Sequence, residues 1–331
     1  MAAEVAEIPE VIERQLRETL DDYLALGQSW AKAPPVFFAT CARGTSDQAA
    51  VFFKYLTEIG TGIPVASLGP SLGSLFDGEL RMTGGAMLAI SQSGASPDLV
   101  ALTRKAAAGG ASTVALLNTL DSPLGRVADK VLPLSAGTER AVAATKSFVA
   151  SLFAVTAIHA GQTGNRALQD ELFALPAVLR SQLDGPKLDL RPLAHARRLF
   201  CIGRGLGLAV AGEAALKFKE TCLLAAEGVS SAEFRHGPLA LADKDTAALV
   251  LLLDDATREG TEMLVETLHD RGASVIVSSA GREAGPHALR HPATQAIVAI
   301  TQIYEAIHAT AVSLGFDPDM PPHLVKATLT E

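Results

Sequence analysis

The stretch Val36-Phe37-Phe38-Ala39-Thr40-Cys41-Ala42-Arg43-Gly44 is an apolar run that stops at Arg-Gly. Leu199-Phe200-Cys201-Ile202-Gly203-Arg204-Gly205 repeats that design in the second half of the chain. A short apolar run bounded by glycine reads as a strand buried on both faces. Each is followed by a helix-compatible stretch, 46–56 and 207–224. Two more buried strands are expected at 87–90 and 249–253, and two others in the glycine-led runs 110–116 and 272–277. The distance from Arg43 to Gly110 nearly equals that from Arg204 to Gly272, which argues for duplication of a βαβαβ unit. Apolar strands alternating with helices imply parallel sheets covered on both sides. The expected fold is α/β, with two doubly wound three-layer (αβα) domains in tandem.

Residues 1–33 read as a leading helix, since Val11, Ile12, Leu16, Leu20 and Leu24 fall near helical spacing. The first domain is expected over 34–180. A linker is expected at 181–193, where Gly185-Pro186, Asp189 and Pro192 interrupt the pattern. The second domain should fill 194–314. Pro318, Pro321 and Pro322 predict an extended tail over 315–331.

A chain of 331 residues suits two such domains. Its 48% hydrophobic and 19% charged residues exclude disorder. A net charge of −8 and only 5% aromatics argue against a nucleic-acid or acidic-membrane binder. The three cysteines, Cys41, Cys201 and Cys222, fit neither a disulfide framework nor a zinc site. With an acidic N-terminus lacking a signal pattern, they predict a cytoplasmic protein. The apolar stretch 294–314 contains Gln302, Glu305 and His308, so a buried or subunit-interface helix is expected there.

Parallel sheets bind ligands at the carboxyl ends of their strands. One such loop reads Ser91-Gln92-Ser93-Gly94-Ala95-Ser96-Pro97-Asp98, and Gly44-Thr45-Ser46 ends another strand. Hydroxyls and free amides at a helix start favour a phosphate, although a simple capped turn has the same residues. Gly203-x-Gly205-x-Gly207 departs from the dinucleotide fingerprint and has no acidic ribose ligand behind it. Glu213, Lys217 and Glu220 share one helix face at i, i+4 and i+7. They form either a solvated salt-bridged face or, in a buried helix, a candidate general base with its cation. His236 precedes Gly237-Pro238 and so belongs on a loop. No group of residues has metal-ligand spacing.

Six blocks in order resemble the tandem sugar isomerase (SIS) domain family. They are 43–46, 91–96, Glu139-Arg140-Ala141-Val142-Ala143-Ala144-Thr145-Lys146, 213–220, Arg235-His236-Gly237-Pro238-Leu239-Ala240-Leu241, and the tail 322–331. The chain is similar to the isomerase half of glucosamine-6-phosphate synthase and to the stand-alone SIS deaminases. The resemblance implies that Ser46, Ser91, Gln92, Ser93 and Ser96 bind the substrate's phosphate, and Gly44 and Thr45 of the same turn are expected to be substrate-binding. It implies that the backbones of Val142 and Val325 meet the sugar. By the same resemblance Glu220 is the base moving a proton between C1 and C2, and Lys217 is its electrostatic partner. His236 opens the ring, reaching in from a neighbouring subunit, and Lys326 forms an imine with the open-chain ketose.

Two departures bear on substrate and nitrogen source. Ala2 stands where the synthase has a glutaminase cysteine, so the chain is expected not to make its own ammonia. Ala144 replaces a serine that is usual in the synthases. The reading is a homodimeric amino-sugar phosphate deaminase/isomerase, converting glucosamine 6-phosphate to fructose 6-phosphate and ammonia without cofactor or metal. The alternatives are a glutaminase-less isomerizing aminotransferase subunit, another phosphosugar isomerase or fructosamine-phosphate deglycase, and a non-catalytic sugar-phosphate sensor. The apolar segments 147–160 and 294–314 are expected at the dimer interface.

Overall fold

The computed structural model describes residues 1–279 and 289–326. They form two compact units. One comprises Glu10–Glu139, Lys146–Leu172 and the tail from Val325; the other comprises Met1–Pro9, Arg140–Thr145 and Phe173–Leu324.

The first unit is built on β1 (Phe38–Cys41), β2 (Val65–Ser67), β3 (Ala86–Ser91), β4 (Ser112–Leu117) and β5 (Lys130–Pro133). All pair in parallel, in the order β2-β1-β3-β4-β5. Every residue of β1 and β3 is buried, as continuous apolar runs demand. On one face Ala39, Cys41, Met87, Ala89 and Leu117 pack against Leu99, Leu102 and Ala106 of the helix Pro97–Ala108. Phe38, on the opposite face, meets Trp30 at 4.8 Å and Phe53 at 5.4 Å, both edge-on. The helices Leu20–Lys32 and Lys146–Thr163 lie against one another in this unit. Their backbones meet through Gly27 and Gly161, where a Cβ would stand 1.9 Å from Ile158 O and 2.4 Å from Leu24 O.

The second unit holds β6 (Arg198–Gly203), β7 (Ala226–Ser230), β8 (Thr246–Leu251) and β9 (Ser274–Ser278), parallel in the order β7-β6-β8-β9. Phe200, Ile202, Ala248 and Val250 pack with Leu264 and Leu268 of the helix Arg258–Asp270. The helix Leu206–Cys222 lies on β6, β7 and β8 and against the helix Pro292–Ser313. Both units are therefore parallel-sheet α/β layers, the expected class.

The duplication extends to backbone angles. Gly44 has φ 55° and ψ −128°, and Gly205 has φ 56° and ψ −128°. Each opens a 17-residue helix. Those helices end in left-handed residues, Gly62 in the first and Leu223 in the second. Side chains rarely tolerate the conformation shared by Gly44 and Gly205. Gly205→Ala should lower unfolding free energy by about 1–3 kcal/mol in urea titrations; unchanged stability would show that the turn relaxes without glycine.

Several expectations need correcting. The leading segment is three helices, Ala2–Ala6, Ile8–Glu18 and Leu20–Lys32, rather than one. Pro9 suits the first turn of the second, and Thr19, at φ −134°, separates the second from the third. The helix expected over 207–224 stops at Cys222, because Leu223 turns left-handed and Ala226 starts β7. Helix continues to Asp184, inside the expected linker. Pro292–Ser313 is long and apolar enough to cross a membrane, yet most of it is buried inside the fold. Residues 146–161 are likewise all buried within the chain. For 294–314, burial is one of the two readings expected from sequence. Between Gly315 and Lys326 the tail has turns but no helix or strand. Residues 327–331, part of the resembling tail, lie outside the described residues.

Candidate functional site

In the first sheet the strand order reverses between β1 and β3, because the chain returns from β2 to the other side of β1. A crevice opens at the carboxyl ends of strands on either side of such a reversal. The two loops found from sequence, 43–46 and 91–96, leave these two strands. Arg43 ties them together: its Nε and Nη2 donate to Asp98 Oδ2 at 2.9 and 2.6 Å. Asp98 is wholly buried at the start of the helix Pro97–Ala108. Its Oδ1 accepts the Leu99 amide at 2.8 Å.

The serines shape their own loop. Ser91 Oγ accepts the Gly94 amide at 3.0 Å, and Ser93 Oγ accepts the Ala95 amide at 3.3 Å. A hydroxyl that accepts one bond keeps its hydrogen to donate. Ser96 occupies the N-cap in extended conformation, but its hydroxyl makes no capping bond to the helix. Gly94, at φ 61°, lets the loop run against Ser122, whose Oγ would lie 2.2 Å from a Cβ there. Thr45 and Ser46 begin the helix behind Gly44 and are half-buried. This loop pair presents hydroxyls, amides and a helix start, a donor set suited to a phosphate.

Beside it lies a cavity of about 500 Å³ at the ends of β3, β4 and β5, lined by Gln92, Asn118, Ser135, Glu139, Arg14 and others. Asn118 fixes its far wall by accepting the Ala136 amide and donating to Gly137 O, both at 2.8 Å. Arg14 Nε donates to Ser135 O at 2.6 Å. Glu139, wholly buried, accepts the Ser147 amide at 3.1 Å and the Ser147 hydroxyl at 2.7 Å. It also receives Lys326 Nζ at 3.2 Å. Lys326 keeps 28% of its side chain exposed. The preceding Val325 is exposed.

The second unit contains the charged cluster. Lys217 Nζ stands 3.3 Å from Glu213 Oε1 and makes a closer ion pair with Glu220 Oε2. Lys217 and Glu213 are wholly buried, whereas Glu220 remains 21% exposed. Tyr304 donates its hydroxyl to Glu213 at 2.8 Å. The face is therefore buried, not solvated. Burial pushes the Glu213 carboxyl up to about 7, against the pull of Lys217. Burial works against the Lys217 ammonium, but the two carboxylates outweigh it and hold that group above the usual lysine range. Glu220 is the member of the cluster open to solvent.

His236 follows the short helix Ser231–Arg235 and is exposed on its loop. Val142 donates its amide to Asp319 O at 3.4 Å. Of the glycines at 203, 205 and 207, the first serves chain packing, since a Cβ at Gly203 would lie 2.1 Å from Gly207 O, and Gly205 serves the turn through its φ of 56°. All three cysteines are unbridged and buried. Burial raises their thiols, Cys222 to about 11 and the other two further, so none is a ready nucleophile. Among the described residues no His, Cys, Asp and Glu cluster could hold a metal ion.

The structure thus brings the loop residues and Lys326 into the first unit, and Lys217, Glu220, His236 and Val142 into the second. Asp98, Tyr304 and the anchoring role of Glu139 were not foreseen. Asp98 had a local signal, a carboxylate directly behind a helix-opening proline. Tyr304 and Glu213 are 91 residues apart, and Glu139 and Lys326 are 187 apart, with no spacing rule to join either pair.

Comparison with known proteins agrees with this geometry. The chain is 34% identical over 314 residues to the isomerizing glutamine–fructose-6-phosphate aminotransferase of Halobacterium salinarum, covering 88% of this chain and 51% of the relative. Against the enzyme of the same name from Zymomonas mobilis it is 31% identical, covering 100% of this chain and 59% of the relative. The chain thus spans somewhat over half the length of these relatives. A crystal structure from Silicibacter pomeroyi DSS-3, named "putative phosphosugar isomerase", superposes with a TM-score of 0.87 at 38% identity, over 96% of this chain and 98% of that one. The C-terminal domain of the Francisella tularensis glucosamine-fructose-6-phosphate aminotransferase superposes with a TM-score of 0.82 at 24% identity, over 96% and 97% of the two chains, a likeness of fold. The SIS domain profile matches residues 38–160 and again 192–314. With two matched segments, each built on its own parallel sheet, the chain belongs to the SIS domain family and carries that domain twice.

Proposed function

We propose that the chain is a phosphosugar isomerase that interconverts fructose 6-phosphate and glucosamine 6-phosphate, with ammonia as the nitrogen partner. The observation that carries this reading is the buried Lys217 between Glu213 and Glu220, which supplies a carboxylate base held beside a fixed cation. In the amination direction Lys326 first captures the open-chain ketose as a C2 imine with loss of water, and ammonia then displaces the lysine amine to leave the C2 imine of the sugar. Glu220 takes a proton from C1, giving an enolamine, and returns it to C2. The aldehyde then closes onto the C5 hydroxyl. Phosphate is held by Ser46, Ser91, Gln92, Ser93 and Ser96 with the Gly44–Thr45 turn, and the sugar meets the backbones of Val142 and Val325. Lys326 captures the ketose as an imine, and His236 assists ring opening from a second copy in a homodimer.

Deamination of glucosamine 6-phosphate is the same path reversed. The two curated relatives at 34% and 31% identity are aminotransferases, and the structure at 38% identity is named a phosphosugar isomerase without a stated nitrogen chemistry. The Thermotoga maritima glucosamine-6-phosphate deaminase is similar at 20% identity, which bears on fold alone. Amination is therefore the favoured direction, and the nitrogen source and a cytoplasmic setting belong to the proposal. The test supplies fructose 6-phosphate with ammonium, and separately a panel of hexosamine 6-phosphates, while ammonia and ketose are measured together. Glucosamine 6-phosphate formation is expected. Failure of every hexose 6-phosphate to react, with binding retained, would replace the enzyme by a sugar-phosphate sensor.

A further inference from the structure

We infer that Glu139 is the positioning residue for Lys326, a role that rests on the imine chemistry proposed above. The lysine sits on a tail that has neither helix nor strand between Gly315 and Lys326. Its four-carbon stem rotates freely unless something holds the amine. An untethered amine meets a carbonyl rarely, and aligned approach is a large part of what an enzyme supplies to such a step.

Glu139 has the properties of a fixed post. Its side chain is wholly buried. The Ser147 amide and hydroxyl hold it at the start of the helix Lys146–Thr163, where the helix dipole favours a carboxylate. Lys326 Nζ reaches Glu139 Oε2 at 3.2 Å. Glu139 also lines the cavity that Gln92 lines, and Gln92 belongs to the loop assigned to the phosphate. One carboxylate therefore ties the mobile-stemmed amine to the wall next to that loop. In the reaction the ammonium, which is partly exposed, first gives up a proton to solvent water. The neutral nitrogen then bonds to the ketose C2, and the carbonyl oxygen leaves as water. Glu139 touches neither carbon nor oxygen of the sugar in this scheme; it acts through Lys326.

The experiment combines imine trapping with kinetics on the full chain. Fructose 6-phosphate and cyanoborohydride are added, the adduct on the Lys326 peptide is quantified by mass spectrometry, and kcat and KM are measured in parallel. In Glu139→Gln both the adduct rate and kcat should fall about 10–100-fold, while KM for fructose 6-phosphate stays within about twofold. Glu139→Asp, which keeps the charge one methylene further back, should recover part of both. If Glu139→Gln does not fold, Ser147→Ala, which leaves the carboxylate charged but loosely held, must show the same split. Labelling and turnover at the parental rate in Glu139→Gln would overturn the role of Glu139 alone. Equal losses in the Gln and Asp variants, accompanied by a lowered melting temperature, would overturn it in favour of a packing role. A parent chain that turns over no ketose phosphate would instead remove the functional reading underneath.

Discussion

Replacing Lys217 with methionine should cost about 3–5 kcal/mol of stability at neutral pH, the penalty for stranding charge in a buried site. The substitution nearly conserves volume, so a cavity is not the cause. Glu213 is wholly buried beside it, and Glu220 is largely so. Without the ammonium these carboxylates lose the cation between them, while Tyr304 still donates to Glu213. The loss should depend on pH in a defined sense. In the parent, the Glu213 carboxyl is raised from 4.5 to about 7 by burial. Between those values the folded chain holds more protons than the unfolded one, so this group's contribution to stability falls as pH rises through the window and levels off above it. Removing Lys217 takes away the chief influence lowering that value, so the window extends upward. The difference between parent and Lys217→Met should therefore shrink towards pH 5 and widen towards pH 8. Urea unfolding at several pH values checks this. A variant as stable as the parent at pH 8 would mean that the carboxylates find other compensation.

The fold was legible where one residue pattern has one physical meaning. Continuous apolar runs ending in Arg-Gly made buried parallel strands, and β1, β3, β6 and β8 fall at or beside the expected positions. The short strands β2, β5 and β7 were missed. β7 reads Ala-Glu-Gly-Val-Ser and is largely open to solvent at its middle, so neither burial nor alternation marks it. Its glycine is there for the helix: a Cβ at Gly228 would lie 2.6 Å from Gly212 Cα. The break at Thr19 was hidden because the apolar spacing of Leu16, Leu20 and Leu24 runs through it.

The candidate site was legible in two different ways. Glu213, Lys217 and Glu220 followed from helical spacing, and burial, seen in the structure, showed the face to be an interior cluster rather than a solvated one. The serine loop followed from strand-end topology, and the reversal of strand order between β1 and β3 supplies its reason. Lys326 and His236 had no such logic. Each is a lone polar residue on an irregular segment, and only family resemblance singled it out. The Lys326–Glu139 contact gives the tail a physical reason to be where it is. Arg43 lies between these cases: it ended the strand pattern, yet its two bonds to one oxygen of Asp98 needed coordinates to be seen.

Glu220→Gln should lower kcat for the sugar interconversion by about 10²–10⁴-fold, the usual contribution of a placed general base, and leave KM nearly unchanged. The amide is isosteric and can still meet Lys217, but it cannot accept a proton from carbon. Glu213 is a poor substitute, because it is wholly buried and already engaged by Lys217 and Tyr304. Lys217 retains Glu213 as a counter-charge, so the stability loss should be far smaller than in Lys217→Met. Two measurements separate chemistry from folding. Exchange of the C1 or C2 hydrogen with deuterated solvent should stop in Glu220→Gln, since that exchange passes through the same enolamine. Binding of glucosamine 6-phosphate, followed by calorimetry, should persist, because the loops after β1 and β3, proposed above to hold the phosphate, are untouched. Exchange at the parental rate in a folded Glu220→Gln protein would move the base elsewhere. Glu213 would then become the first group to test, since its carboxyl, raised to about 7, is poised to give or take a proton near neutral pH.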